Sequence, residues 1–199
     1  GKVLEKMKQF KDRPCLGRRI KIGETEKKAP IFEKTYTYFT YKEVEDFCYN
    51  FSKNLHERKN ELTYSDSYKN FDMNLVGIFA KNCIEWVITD FGSQMDSVTI
   101  VTLYSTLGQD AFRFICEQTK IKTIFVSPDL VSLVCEYKHK FNLPHLTNAV
   151  LYDFTTNCDS QKLLEELKNV GFKAYSFTSE FLKENKNIKN EDLLISKPD

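Results

Sequence analysis

The chain has 199 residues, with 29 Lys and Arg against 28 Asp and Glu, a net charge of +1 and 41% hydrophobic residues. A chain of this length buries roughly 70% of its unfolded surface and needs no disulfide or metal staple, while the even charge excludes a dedicated nucleic-acid binder. The six cysteines, Cys15, Cys48, Cys83, Cys116, Cys135 and Cys158, form no Cys-x-x-Cys pair and read as reduced, packed thiols of a cytoplasmic protein. No apolar run approaches the length of a membrane span, and no secretory signal is present. Charge is uneven along the chain: residues 1–30 carry +6 and the remainder −5. That basic arm is either a solvated terminus or a peripheral contact with anionic lipid. The start at Gly1 and the end at Lys197-Pro198-Asp199 read as those of a segment cut from a longer protein.

In chain order, residues 2–14 form a charged lead-in. Residues 18–22 and 34–39 alternate in the manner of strands around a polar turn, which predicts a small antiparallel hairpin. Thr40 and Glu43 stand at capping-box spacing before the helical stripe Val44, Phe47, Cys48, Phe51 and Leu55. Residues 59–74 are polar and read as a surface excursion. The apolar runs 75–80, 98–103 and 121–126 have the β-branched composition of strands buried on both faces of a parallel sheet. Between them lie a helix carrying Ile84, Val87, Ile88, Phe91 and Met95, with Asn82 and Glu85 as its capping box, and a helix carrying Phe112, Ile115 and Cys116, with Thr106 and Gln109 ahead of it. Ser127 and Pro128 open a further helix through Leu130, Leu133, Val134 and Tyr137. A fourth strand at 149–154 follows, then a helix around Leu163, Leu164 and Leu167 ended by Gly171, and a fifth strand at 172–177. The fold class is therefore α/β, a mostly parallel layered sheet with helices on both faces, preceded by a small antiparallel hairpin. The expected division is an arm at 1–39, an α/β subdomain at 40–183 and a charged linker at 184–199.

The chemistry-bearing residues are few. The closest of the seven glycines, Gly17 and Gly23, stand six apart, so no dinucleotide fingerprint, phosphate loop or nucleophile elbow is present. His56, His139 and His145 form no metal-ligating pair, and Asp90 and Asp96 read as solvated acids. Trp86 reads as packing and Glu85 as a cap. The segment Tyr104, Ser105, Thr106, Leu107 and Gly108 leaves the carboxyl end of a parallel strand, where ligands gather in open α/β sheets, and is the candidate ligand-side loop. No catalytic residue and no metal site is expected within these residues.

Four segments carry a resemblance. Gly77-Ile78-Phe79-Ala80-Lys81-Asn82, followed by Glu85-Trp86-Val87-Ile88, and then Val101-Thr102-Leu103-Tyr104-Ser105-Thr106-Leu107-Gly108, stand in the order and spacing of the long-chain acyl-CoA synthetases of the adenylate-forming superfamily. Cys15-Leu16-Gly17-Arg18-Arg19 and Tyr38-Phe39-Thr40-Tyr41-Lys42-Glu43-Val44 agree with the same family. Thr102 stands where a proline is usual and Ser105 where an aspartate is common, and the excursion at 59–74 is longer than usual. The resemblance implies the first subdomain of an enzyme that joins a fatty acid to CoA through an acyl-adenylate, with ATP, Mg2+ and CoA used by the longer protein. It also implies a second α/β subdomain packed against this one. The family's catalytic motifs map onto no residue here, so the chain alone is expected to be inactive. Two other readings compete with it: a ligase of another acyl class in the same superfamily, and a non-enzymatic flavodoxin-like or receiver-like module. Ala80-Lys81 and Ser127 stand where a receiver wants its acids, and Lys81-Asn82-Cys83 makes a poor flavin phosphate loop.

Overall fold

The computed structural model describes residues 2–27, 29–68 and 71–193; Lys197-Pro198-Asp199 and the last part of the expected linker lie outside the described residues. After α1 (Lys2–Gln9) come β1 (Pro14–Arg18), β2 (Lys21–Glu24), β3 (Pro30–Phe32) and β4 (Thr37–Thr40). β1 pairs antiparallel with β4, and β2 with β3, so one two-stranded ribbon nests inside another. The small antiparallel hairpin expected from residues 18–22 and 34–39 is present, with Arg18 opposite Thr37, and it is divided into an outer and an inner ribbon. Alternation marks extended backbone but does not choose its partner, and here the polar turn closes only the inner pair.

α2 (Tyr41–Glu57) begins as its sequence predicts. The Thr40 hydroxyl accepts from the Glu43 backbone N–H at 3.2 Å, and the Glu43 carboxylate accepts from the Thr40 N–H at 2.7 Å. Thr40→Ala is expected to cost about 1 kcal/mol, read as a lower urea midpoint at unchanged slope. The polar stretch at 59–74 is more than a surface excursion. It contains α3 (Lys59–Leu62) and β5 (Tyr64–Tyr68), and β5 pairs antiparallel with the long β6 (Phe71–Phe79) through the register Tyr64↔Leu75 to Tyr68↔Phe71. Backbone ladder bonds define that strand, so its polar composition hides it from a hydrophobicity reading.

α4 (Ile84–Met95), β7 (Val98–Thr102), α5 (Gly108–Thr119), β8 (Thr123–Val126), α6 (Val131–Lys140), β9 (Asn148–Leu151), α7 (Ser160–Asn169), β10 (Lys173–Ser176) and α8 (Phe177–Phe181) complete the chain. The main sheet has six strands. β10, β9, β8, β6 and β7 lie side by side and parallel, and β5 runs antiparallel along the first half of β6. Alternation along β6 sends Val76 and Ile78 to one face and Leu75 and Phe79 to the other. The first face is covered by α2, α4 and α8 through Phe51, Ile88, Phe177 and Phe181; the second by α5, α6 and α7 through Phe112, Val134 and Leu167. Helices on both faces of a mostly parallel sheet are the fold class the sequence indicates. Trp86 packs half-buried against the first of these clusters.

Three helix starts differ from their local signals. α4 has Cys83 at its cap without a side-chain bond, α5 follows a 3-10 turn at Ser105–Leu107 with no side-chain cap, and Pro128 opens a 3-10 turn in which the Ser127 hydroxyl bonds Asp129 at 2.6 Å. Asp96 is not the solvated acid that its sequence position suggests. It is fully buried, with His56 Nδ1 at 2.8 Å and Lys59 Nζ at 3.0 Å from its carboxyl oxygens. Residues 184–193 lie along α2, where the Asn185 amide donates to Asn54 Oδ1 at 3.2 Å and to Glu57 Oε2 at 2.8 Å.

Candidate functional site

In an open parallel sheet, ligands lie beyond the carboxyl ends of strands, where neighbouring strands send their chains to opposite faces. β6 and β8 are such neighbours. The chain leaving β6 enters α4 on the first face, and the chain leaving β8 enters α6 on the second. Lys81 and Asp129 meet across this crevice, with Nζ 2.7 Å from Oδ2. Burial pushes the Asp129 carboxyl up, but the bonds from Lys81 and Ser127 outweigh that and hold it below its ordinary value.

The loop singled out from the sequence stands beside this crevice, at the carboxyl end of β7. Tyr104 is exposed and Ser105–Leu107 form the 3-10 turn. Leu107 is exposed, and Gly108 adopts φ +76°, a conformation that L side chains rarely take. The five residues thus form an open apolar rim with hydroxyls of Ser105 and Thr106 between its members.

On the other side of the α4 start lies an open cleft of about 490 Å³, between the β1–β3 ribbons and residues 82–87. Its floor depends on Glu85. This fully buried side chain does not cap α4 but reaches 70 positions along the chain to Thr155 after β9. Oε1 accepts from the Thr155 N–H at 2.7 Å and from its hydroxyl at 2.9 Å; Oε2 lies 2.7 Å from the same hydroxyl. The Thr155 carbonyl in turn accepts from Arg18 Nη1 of β1. Burial, helped by Glu85, pushes the Cys83 thiol up to about 12, so it is a packed thiol and not a nucleophile. Glu85→Ala leaves the part-buried Thr155 N–H without its carboxylate partner and is expected to destabilise the chain by about 1–3 kcal/mol in urea titration; a loss below about 0.5 kcal/mol contradicts the relay.

Arg18, Arg19, Lys81 and Asp129 were not named as site residues from the sequence. Arg18 and Arg19 belonged to a matching segment and Lys81 to another, but nothing local shows that they converge on one end of the sheet. Among the described residues no group of His, Cys, Asp or Glu could hold a metal ion. A triphosphate cradle does not fit these residues either: no glycines cluster at a helix start, and Lys81 is engaged by Asp129.

The geometry defines a class, an α/β layered domain with a mostly parallel sheet and an open cleft beside the start of α4. The AMP-binding enzyme signature spans residues 7–195, and the chain belongs to that family of adenylate-forming ligases. It is 30% identical to human long-chain-fatty-acid–CoA ligase 1 over 141 residues, which covers 70% of this chain and 18% of that protein. It is 28% identical over 136 residues to the octapeptide-repeat antigen of Plasmodium falciparum, covering 68% of this chain and 18% of that protein. The A-PCP didomain of carboxylic acid reductase from Segniliparus rugosus, in complex with AMP, shares the fold at 13% identity with a TM-score of 0.70, covering 90% of this chain and 25% of that chain. The chain therefore spans about a fifth of the length of the curated relatives it matches.

Proposed function

We propose that the whole protein is an ATP-dependent long-chain fatty acid:CoA ligase and that these residues are its first α/β subdomain. The observation that carries the reading is the pair of segments around Glu85 and Tyr104, which match in order and spacing and flank the same carboxyl edge of the sheet. A carboxylate is a poor electrophile, so the whole enzyme would convert it to a mixed anhydride with AMP before the CoA thiol attacks. ATP, Mg2+, CoA and the fatty acid are substrates and cofactors of the whole protein, handled largely by groups outside this chain. Here the arm at 1–39 and the subdomain at 40–183 act as scaffold, residues 184–199 lead toward a second α/β subdomain, and Tyr104, Ser105, Thr106, Leu107 and Gly108 border the shared cleft.

The test is thioester formation by the whole protein across a ladder of fatty acids. Long chains are expected to react best, and these 199 residues alone are expected to be silent. A preference for short or aromatic acids would move the protein to another branch of the superfamily, a reading kept open by its structural likeness to a carboxylic acid reductase domain. No helix among the described residues is long and apolar enough to cross a membrane. A cytoplasmic protein in peripheral contact with membrane through its basic arm fits the +6 charge of residues 1–30. Vesicle sedimentation should then weaken with salt, and binding indifferent to salt would remove the electrostatic basis.

A further inference from the structure

The geometry points to a binding site for an amphiphilic oxyanion, a carboxylate or phosphate head on an apolar body, in the cleft between the β1–β3 ribbons and the start of α4. The cleft measures about 490 Å³, within the usual range for small-molecule sites. Its apolar wall comes from Leu16, Phe32, Ile84 and Val87, its charge comes from Arg18 and Arg19, and no Asp or Glu lines it. Neither arginine forms a salt bridge with an acid among the described residues.

The two guanidinium groups are held differently. Arg19 lies over the rings of Phe32 and Tyr36, 5.4 Å and 5.7 Å from their centroids, which draws its charge toward the apolar wall. Arg18 donates Nη1 to the Thr155 carbonyl, and its Nε is buried without a hydrogen-bond partner. A buried charged donor left unpaired is costly unless an acceptor completes it. The 12-residue helix α4 starts at the cleft, with Cys83 at its N-cap, so the positive end of its dipole faces this region. Glu85, in the first turn of α4, is buried, and both its oxygens are already occupied by Thr155. An oxyanion head would sit by the arginines, with its apolar body along Phe32, Ile84 and Val87. This inference concerns the chain's own cleft and does not rest on the reaction proposed for the whole protein.

Calorimetric titration of the 199-residue chain with submicellar dodecanoate and dodecyl phosphate tests it, with dodecanol and inorganic phosphate as partial ligands. One saturable site is expected for at least one of the two amphiphiles, the tighter of them identifying the head group. Dodecanol and inorganic phosphate should each bind at least about tenfold more weakly. Arg19→Gln should weaken the amphiphile about tenfold, Phe32→Ser should weaken it by a smaller factor, and Phe114→Ser on distant α5 should leave it unchanged. Absence of saturable binding, dodecanol or inorganic phosphate binding as tightly as the amphiphile, or an unaltered affinity in Arg19→Gln would each overturn the proposal.

Discussion

Replacing Phe51 by alanine is expected to cost about 3–5 kcal/mol, a large share of the stability of an ordinary domain. Phe51 is fully buried on α2, and its ring centroid lies 5.6 Å from Phe125 of β8, 5.7 Å from Phe177 and 5.4 Å from Phe181 of α8. Its ring joins α2 to both the sheet and the last helix, beside the amide bond from Asn54 to the Phe181 carbonyl. α4 approaches just as closely on the other side. A Cβ on Gly92 would stand 2.5 Å from the Phe51 ring and 3.0 Å from the Cys48 carbonyl. Gly92→Ala alone should therefore destabilise by about 1–3 kcal/mol through overpacking. In the Phe51→Ala background the ring clash is gone, so the same substitution should cost measurably less. Urea midpoints for the four proteins of this cycle give the coupling. Additive losses would show that α2 and α4 do not meet as described.

Alkaline pH is expected to destabilise the chain well before its backbone is otherwise affected. Burial pushes the thiols of Cys48 and Cys116 up to about 12 from the ordinary 9.0. Both side chains are buried, at 0% and 3% exposure. Above the unfolded value the unfolded chain releases these protons and the folded chain does not. Stability is then fully present below that value and falls as pH rises from it toward the folded value. At about pH 10 the loss is about 1.4 kcal/mol for each thiol, or about 3 kcal/mol for the two. Urea midpoints under reducing conditions at about pH 8 and about pH 10 check this, with the Cys48→Ala/Cys116→Ala double variant as comparison. The variant should lose less between the two pH values. An equal loss would mean that these thiols are not desolvated.

The layered sheet was legible because each buried strand and amphipathic helix states its own pattern within a few residues. The capping box at Thr40 and Glu43 was legible for the same reason: both partners lie in one turn. Glu85 stands at the same spacing from Asn82, yet its carboxyl is drawn to Thr155, a partner supplied only by the closed fold. β5 escaped notice because its pairing with β6 is a matter of backbone bonds, and its Ser and Asp side chains carry no alternation. The loop at Tyr104 could be placed at a strand end from the βαβ pattern alone. The cleft beside α4 could not, since it is assembled from residues 16–19, 32–36, 82–87 and 155, and no spacing in the chain brings these segments together.

ATP–pyrophosphate exchange by the whole protein is the most direct measurement of whether this chain is scaffold for a carboxylate-activating site. In that reaction a carboxylate oxygen attacks the α-phosphorus of ATP and pyrophosphate leaves, and the reverse step returns labelled pyrophosphate to ATP without any need for CoA. Label is expected to enter ATP when a long-chain fatty acid is added to the whole protein, and not when these 199 residues are assayed alone. Exchange by the 199 residues themselves, or none by the whole protein with any carboxylic acid, would contradict it.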